Sequence, residues 1–170
     1  MIRRVVLFGL TAILIAGCAA KVPESDATYY LVRHAEKTTE KSDPSLTKQG
    51  QQRAEDLAQR LSDVSLTRIY SSDYIRTRDT AAPVATSKTS NVSIYDPRDL
   101  DGFAQELLAK KGHILIVGHS NTTPQLSALL GGPEGTPIVE ATEYDRLYIL
   151  QRNGNEVSGR IARYGEASEW

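Results

Sequence analysis

The sequence predicts an α/β fold: a three-layer sandwich with a largely parallel central sheet, helices on both faces and an antiparallel edge hairpin. Three observations point to it. Short β-branched and aromatic runs alternate along the chain with amphipathic helical stripes. The run Ile114 to Val117 is continuously apolar, as expected of a central strand buried on both faces. Near the C-terminus, Leu147–Gln151 and Val157–Ala162 flank Asn153-Gly154, a strong hairpin-turn signal.

Taken in order, Tyr29–Val32 with Thr28 before it reads as the first strand, ending at Arg33-His34. A polar loop follows through Pro44. Thr47 is placed to cap a helix reaching Leu61, in which Ala54, Leu57, Ala58 and Leu61 share one face. Leu66–Tyr70 is a second strand, Asp73–Ser87 a second helix and Val92–Tyr95 a third, short strand. Leu100, Phe103, Ala104, Leu107 and Leu108 form another helical stripe, closed by Lys110-Lys111-Gly112. Ile114–Val117 ends at Gly118-His119, and a helix from Thr123 to Leu130 stops at Gly131-Gly132. In such sheets ligands bind outside the carboxyl ends of the strands, and both His34 and His119 lie at those ends.

The 170 residues suffice for one domain, and no internal repeat is present. The formal net charge of −1 gives no basic surface of the kind that holds nucleic acid. The first residues stand apart. Arg3 and Arg4 precede an apolar run from Val5 to Ile15, followed by the small residues Ala16 and Gly17 and then Cys18, the single cysteine. That layout is a secretory signal peptide, too short for a comfortable transmembrane helix. Ile15-Ala16-Gly17-Cys18 resembles the lipobox of bacterial lipoproteins, which implies a lipidated Cys18 as mature N-terminus. The resulting organisation is a signal peptide over 1–17, a lipidated end and tether over 18–27, and one domain over 28–170. Loss of residues 1–17 removes two basic residues and leaves a net charge of −3. A mildly acidic domain gains nothing from anionic lipid, so attachment to the cell envelope, facing periplasm or exterior, rests on the acyl chains (palmitate among them).

Arg33-His34 alone could be a surface dipeptide opening a loop. Three further segments change that: Leu46-Thr47-Lys48-Gln49-Gly50-Gln51-Gln52-Arg53-Ala54, then Ser72 to Ala81 with Arg76 and Thr80, then Val117-Gly118-His119-Ser120. Together and in this order they resemble the histidine phosphatase (phosphoglycerate mutase-like) superfamily, with its L-V-R-H-[GA]-E, L-T-x-x-G-x-x-[QR]-A, S-x-x-x-R-x-x-x-T-A and V-x-H-[GS] segments.

The resemblance implies a phosphatase with His34 as phosphate-accepting nucleophile, Arg33 and Arg76 on the non-bridging oxygens, and His119 donating to the transferring group. The chemistry suits these residue types. A neutral imidazole can attack phosphorus and split one hard step into two. Guanidinium offers planar, permanently charged donors for oxygens that share negative charge. Backbone N–H groups after His119 add anion-binding capacity. Counting from Ser72 selects Arg76 over Arg78, which lies about 200° away on a helix. His113 starts its strand and so sits on the wrong edge of the sheet.

Two departures from the family pattern stand out. Where many members have asparagine six residues after the histidine, this chain has Glu40, and Ala35 replaces glycine; R-H-A-E-K is closer to the small phosphatases than to the mutases. Relatives often place a carboxyl general acid between the arginine motif and the second histidine; Asp96, Asp99 and Asp101 are the candidates, with Asp99 equally suited to capping the next helix. Some small relatives manage without such an acid, which favours a substrate with a good leaving group. No cofactor is implied, no metal-ligand cluster is visible, and no dinucleotide or P-loop motif occurs. About thirty residues between Thr80 and His113 leave no room for a large cap. An open site suits an exposed phosphate on a sugar phosphate, an envelope glycan or a phosphoprotein. A phosphohistidine phosphatase, or a non-catalytic phosphate-binding lipoprotein, are the alternatives.

Overall fold

A computed structural model describes residues 25–168. The signal peptide and Cys18 lie outside the described residues. Ten elements follow one another: β1 (Ala27–Arg33), α1 (Lys48–Arg60), β2 (Leu66–Ser72), α2 (Ile75–Ser87), β3 (Val92–Tyr95), α3 (Leu100–Leu108), β4 (Gly112–Gly118), α4 (Thr122–Leu129), β5 (Arg146–Asn153) and β6 (Glu156–Arg163). They build one six-stranded sheet in the order β3-β2-β4-β1-β5-β6. The first four strands run parallel, β5 runs antiparallel to β1, and β6 returns antiparallel to β5 at the edge.

Side chains alternate between the two faces of the sheet, as strand geometry requires. Tyr29, Leu31, Ile114 and Ile116 point into a core shared with Leu100, Phe103 and Leu107 of α3 and Leu126 of α4. Tyr30, Val32, Leu115 and Val117 point the other way, against Leu57 and Ala58 of α1 and Ala81 and Val84 of α2. Both faces are therefore covered, and burial of each such Leu, Ile or Val contributes about 1.5–3 kcal/mol. Among the described residues no helix is long and apolar enough to cross a membrane.

Several element boundaries shift by one or two residues from the sequence reading, and two of the shifts have a clear physical reason. Ala27, assigned to the tether, is fully buried in β1, where it pairs with Gly112 and Arg152. The edge hairpin turns one residue later than expected: Asn153 pairs with Glu156, and Gly154-Asn155 form the loop. Gly154 takes the positive φ of 61° that the first loop position demands, so the signal lay in the glycine rather than in Asn153.

Candidate active site

The β1–β4 register sets the site. Arg33 stands opposite Gly118, and the His34 N–H donates to Gly118 O at 2.9 Å. This ladder step brings His34 and His119 side by side at the carboxyl ends of two central strands, with ring centroids 5.6 Å apart. His34 is nearly fully buried. Its Nδ1–H donates to Ala35 O at 2.8 Å, which leaves Nε2 as the lone-pair nitrogen. Nε2 makes no hydrogen bond to another described residue. Burial, reinforced by the charges of Arg33, Arg76 and His119, pushes His34 down to about 3 despite the Ala35 contact, so the ring is neutral at neutral pH.

His119 has its proton placed by a relay. Thr77 Oγ1 spends its proton on Ser72 O and Tyr74 O, at 2.8 and 3.0 Å. Ser72 Oγ donates to Thr77 Oγ1 at 3.1 Å and so must accept from His119 Nε2 at 2.9 Å. Nδ1 then faces Arg76, whose Nη2 donates to it at 3.5 Å. Burial first, then the charges of Arg76 and Arg33, hold His119 down at about 4. A second proton, taken up as an anion arrives, would turn Nδ1 into a donor.

Arg76 lies in a cleft of about 560 Å³ together with His34, His119, Tyr74, Lys37 and Arg98. Its guanidinium carbon sits 4.4 Å from the Tyr74 ring centre, and Nη1 is 3.5 Å from Asp43. Asp43 also accepts from the N–H of Ile75 at 2.9 Å, holding the start of α2 from a loop residue with φ 41°. Arg78 turns away and pairs with Asp73 at the surface. Arg33 is buried beneath the cleft and does not line it. Its Nη1 donates to Glu143 O at 2.8 Å and its Nη2 to Glu140 O at 2.6 Å, over the Tyr144 ring. The Nε atoms of both Arg33 and Arg76 are buried without a partner. Two unpartnered guanidinium N–H groups beside two neutral imidazoles are what an anion site looks like before the anion arrives.

The remaining motif residues support the loop after His34. Thr80 Oγ1 accepts from the Ala35 N–H at 2.9 Å and donates to Arg76 O at 2.7 Å, tying nucleophile loop to helix α2. The Thr47 N–H donates to Glu36 O, and a Cβ on Gly50 would come within 2.2 Å of that same oxygen. Arg53, almost wholly buried, pairs with Glu36 at 2.7 Å and donates to Tyr164 O and Glu166 O.

Other sequence candidates fall elsewhere. His113 faces Tyr30 at the far end of β4. Glu40 is exposed and does not line the cleft; its carboxylate accepts from the Ser45 N–H at 3.4 Å. Neither Asp96, Asp99 nor Asp101 reaches the cleft: Asp99 caps α3 by accepting from Gly102 N, Asp96 pairs with Arg98, and Asp101 is exposed in the first turn. The helix-start amides are partly used within the chain, since the His119 N–H donates to Thr122 Oγ1 at 3.0 Å. Residues that the sequence did not single out, Lys37, Tyr74, Arg98 and Glu140, complete the cleft.

The model of the histidine phosphatase superfamily, branch 1, matches residues 29–103, which hold the first three motifs. Over these 75 of 170 residues the chain is similar to the histidine phosphatase superfamily, a match that supports a histidine-type phosphatase. Solved structures share the fold. The protein histidine phosphatase SixA complexed with tungstate is 19% identical, with 81% of this chain and 95% of that one covered and a TM-score of 0.62. A putative phosphohistidine phosphatase SixA from Agrobacterium tumefaciens is 20% identical over 82% and 98% of the two chains, with a TM-score of 0.57. The mycobacterial glucosyl-3-phosphoglycerate phosphatase is 14% identical over 82% and 99%, with a TM-score of 0.61. No curated protein matches the sequence significantly.

Proposed function

We propose that this protein is a histidine phosphatase that hydrolyses phosphomonoesters through a phospho-His34 intermediate, while held on the cell envelope by lipid on Cys18. The observation that carries the catalytic part is the state of His34: a neutral ring, Nδ1–H committed to Ala35 O, and Nε2 unbonded in a cleft with Arg76 and His119. The Nε2 lone pair attacks phosphorus and displaces the leaving oxygen. The unpartnered Nε of Arg76 takes a phosphoryl oxygen, the buried Arg33 adds positive charge from beneath, and protonated His119 donates from Nδ1 to the charge that develops. Water then attacks the phosphohistidine and releases phosphate.

The order Arg3-Arg4, apolar run, Ile15-Ala16-Gly17-Cys18 supports the lipid anchor. The substrate class follows from the cleft. Only the end of α2, β3 and α3 stand between Thr80 and β4, with no added cap, and Lys37 and Arg98 add positive charge at the rim. This suits a phosphate carried on a larger envelope sugar, glycan or protein. Likeness to SixA and to a glucosyl-3-phosphoglycerate phosphatase makes phosphohistidine peptides and sugar phosphates the two classes to compare. A phosphate-release screen of both against wild type and His34→Ala decides it. The expectation is turnover that the variant lacks entirely; release by the variant at the wild-type rate would contradict the proposal.

A further inference from the structure

None of the three aspartates expected between the arginine motif and His119 lines the cleft, so a residue to protonate the leaving oxygen is sought in another part of the chain. Among the described residues one carboxylate lines the cleft with His34, Arg76 and His119: Glu140, in the segment between α4 and β5. Nearby acids are spoken for. Glu36 is locked to Arg53, and Asp43 to Arg76 and the Ile75 N–H. The Glu140 carboxylate makes no ion pair or hydrogen bond with a described residue, whereas its backbone is pinned by the 2.6 Å bond from Arg33 Nη2 to its carbonyl oxygen. A residue buried beneath the nucleophile thus fixes the main chain of Glu140, and its charge also acts on the Glu140 side chain.

Position adds a second argument. Glu140, Ser120 and Asn121 also line an adjoining cavity of about 500 Å³, bounded by Pro124, Thr136 and Ile138. Glu140 therefore stands on the boundary between the phosphate-holding groups and the space open to the rest of a substrate. We propose that Glu140 is the general acid and base of the reaction, with the leaving group seated toward that adjoining cavity. The inference rests on the phosphatase reading given above.

The proton and electron count closes. As His34 Nε2 forms the N–P bond, the P–O bond to the leaving group breaks. Its electron pair passes to the leaving oxygen, which takes the Glu140 proton and departs as an alcohol. Water then attacks phosphorus and gives a proton to the Glu140 carboxylate, and the N–P pair returns to Nε2.

Glu140→Gln keeps the carbonyl that holds Arg33 and the shape of the side chain, but offers no exchangeable acid. The test compares kcat/KM for glycerol 2-phosphate, whose alkoxide leaves poorly, with p-nitrophenyl phosphate, whose phenolate needs no proton. The variant should lose about 100-fold or more on the alkyl ester and less than about threefold on the aryl ester. Glu140→Asp should recover part of the alkyl activity, and the basic limb of the alkyl pH profile should move only where Glu140 is replaced. Equal losses on both esters, no loss on either, or wild-type turnover of the aryl ester alone would overturn the assignment while leaving a phosphatase. Wild type that turns over neither ester would overturn this inference, and the phosphatase reading falls with it when the phosphohistidine peptides and sugar phosphates of the screen also go unhydrolysed.

Discussion

Arg76 and Arg78 sit two residues apart on α2 and meet opposite surroundings. Arg76 turns into the cleft with a buried, unpartnered Nε, while Arg78 forms a surface pair with Asp73. Arg76→Ala should therefore cost on the order of 3 kcal/mol in transition-state stabilisation, as for loss of a charged donor at a developing anion. Arg78→Ala should leave kcat/KM nearly unchanged, because exposed pairs contribute little; the reverse ranking would place the wrong face of α2 toward the substrate. The two histidines carry a pH prediction of definite sign. Burial holds His34 at about 3 and His119 at about 4, against an ordinary 6.5. Below pH 6.5 the unfolded chain binds these protons and the folded chain does not, so stability present above pH 6.5 is lost as pH falls toward those lower values. Thermal unfolding of wild type against a His34→Gln, His119→Gln variant measures this. The wild-type melting temperature should fall more steeply between pH 7 and 5.5, above the main carboxylate range, and parallel slopes would contradict the account.

At the scale of elements, the periodicity of the chain made most of the fold legible. The stripe Ala54, Leu57, Ala58, Leu61 and the run Ile114–Val117 are buried where the pattern places them, because burial on one helix face or both strand faces is what those patterns record. His34, Arg33, Arg76 and His119 were legible as candidates because their motifs end or open such elements. The segment between α4 and β5 was not. It holds Arg33 through backbone carbonyls of Glu140 and Glu143, contacts that leave no trace in side-chain identity. Its anchor, the buried Glu143 between Arg146 and Arg163, belongs to no periodic pattern. Glu140 escaped notice for the same reason. The Glu36–Arg53 pair makes the dependence between elements testable. Removing one partner strands a buried charge, so Arg53→Ala should destabilise the fold by about 3–5 kcal/mol in denaturant unfolding. Phosphatase activity should fall with it at temperatures where the fold persists, since Glu36 holds the loop that follows His34. Full activity in a destabilised variant would show that this loop needs no such support.

For the whole molecule, a sheet closed on both faces positions an open site at one end, while the chain before residue 25 carries the proposed attachment. The two parts are separable in principle, because the described domain contains the entire cleft. Cys18→Ser should release the protein from membranes without changing the melting temperature of the domain, and mass spectrometry of the mature wild type should find a lipid-modified Cys18 at its N-terminus. An unmodified Cys18, or cleavage elsewhere, would remove the anchor from the account. The central claim, a phosphoryl group carried on His34, is tested most directly by rapid quench with labelled substrate. The prediction is a phosphoprotein labile to acid and stable to base, as a phosphoramidate must be, absent in His34→Ala and formed or broken down more slowly in His119→Ala. Label persisting in the His34→Ala protein would contradict the account and place the nucleophile on another residue.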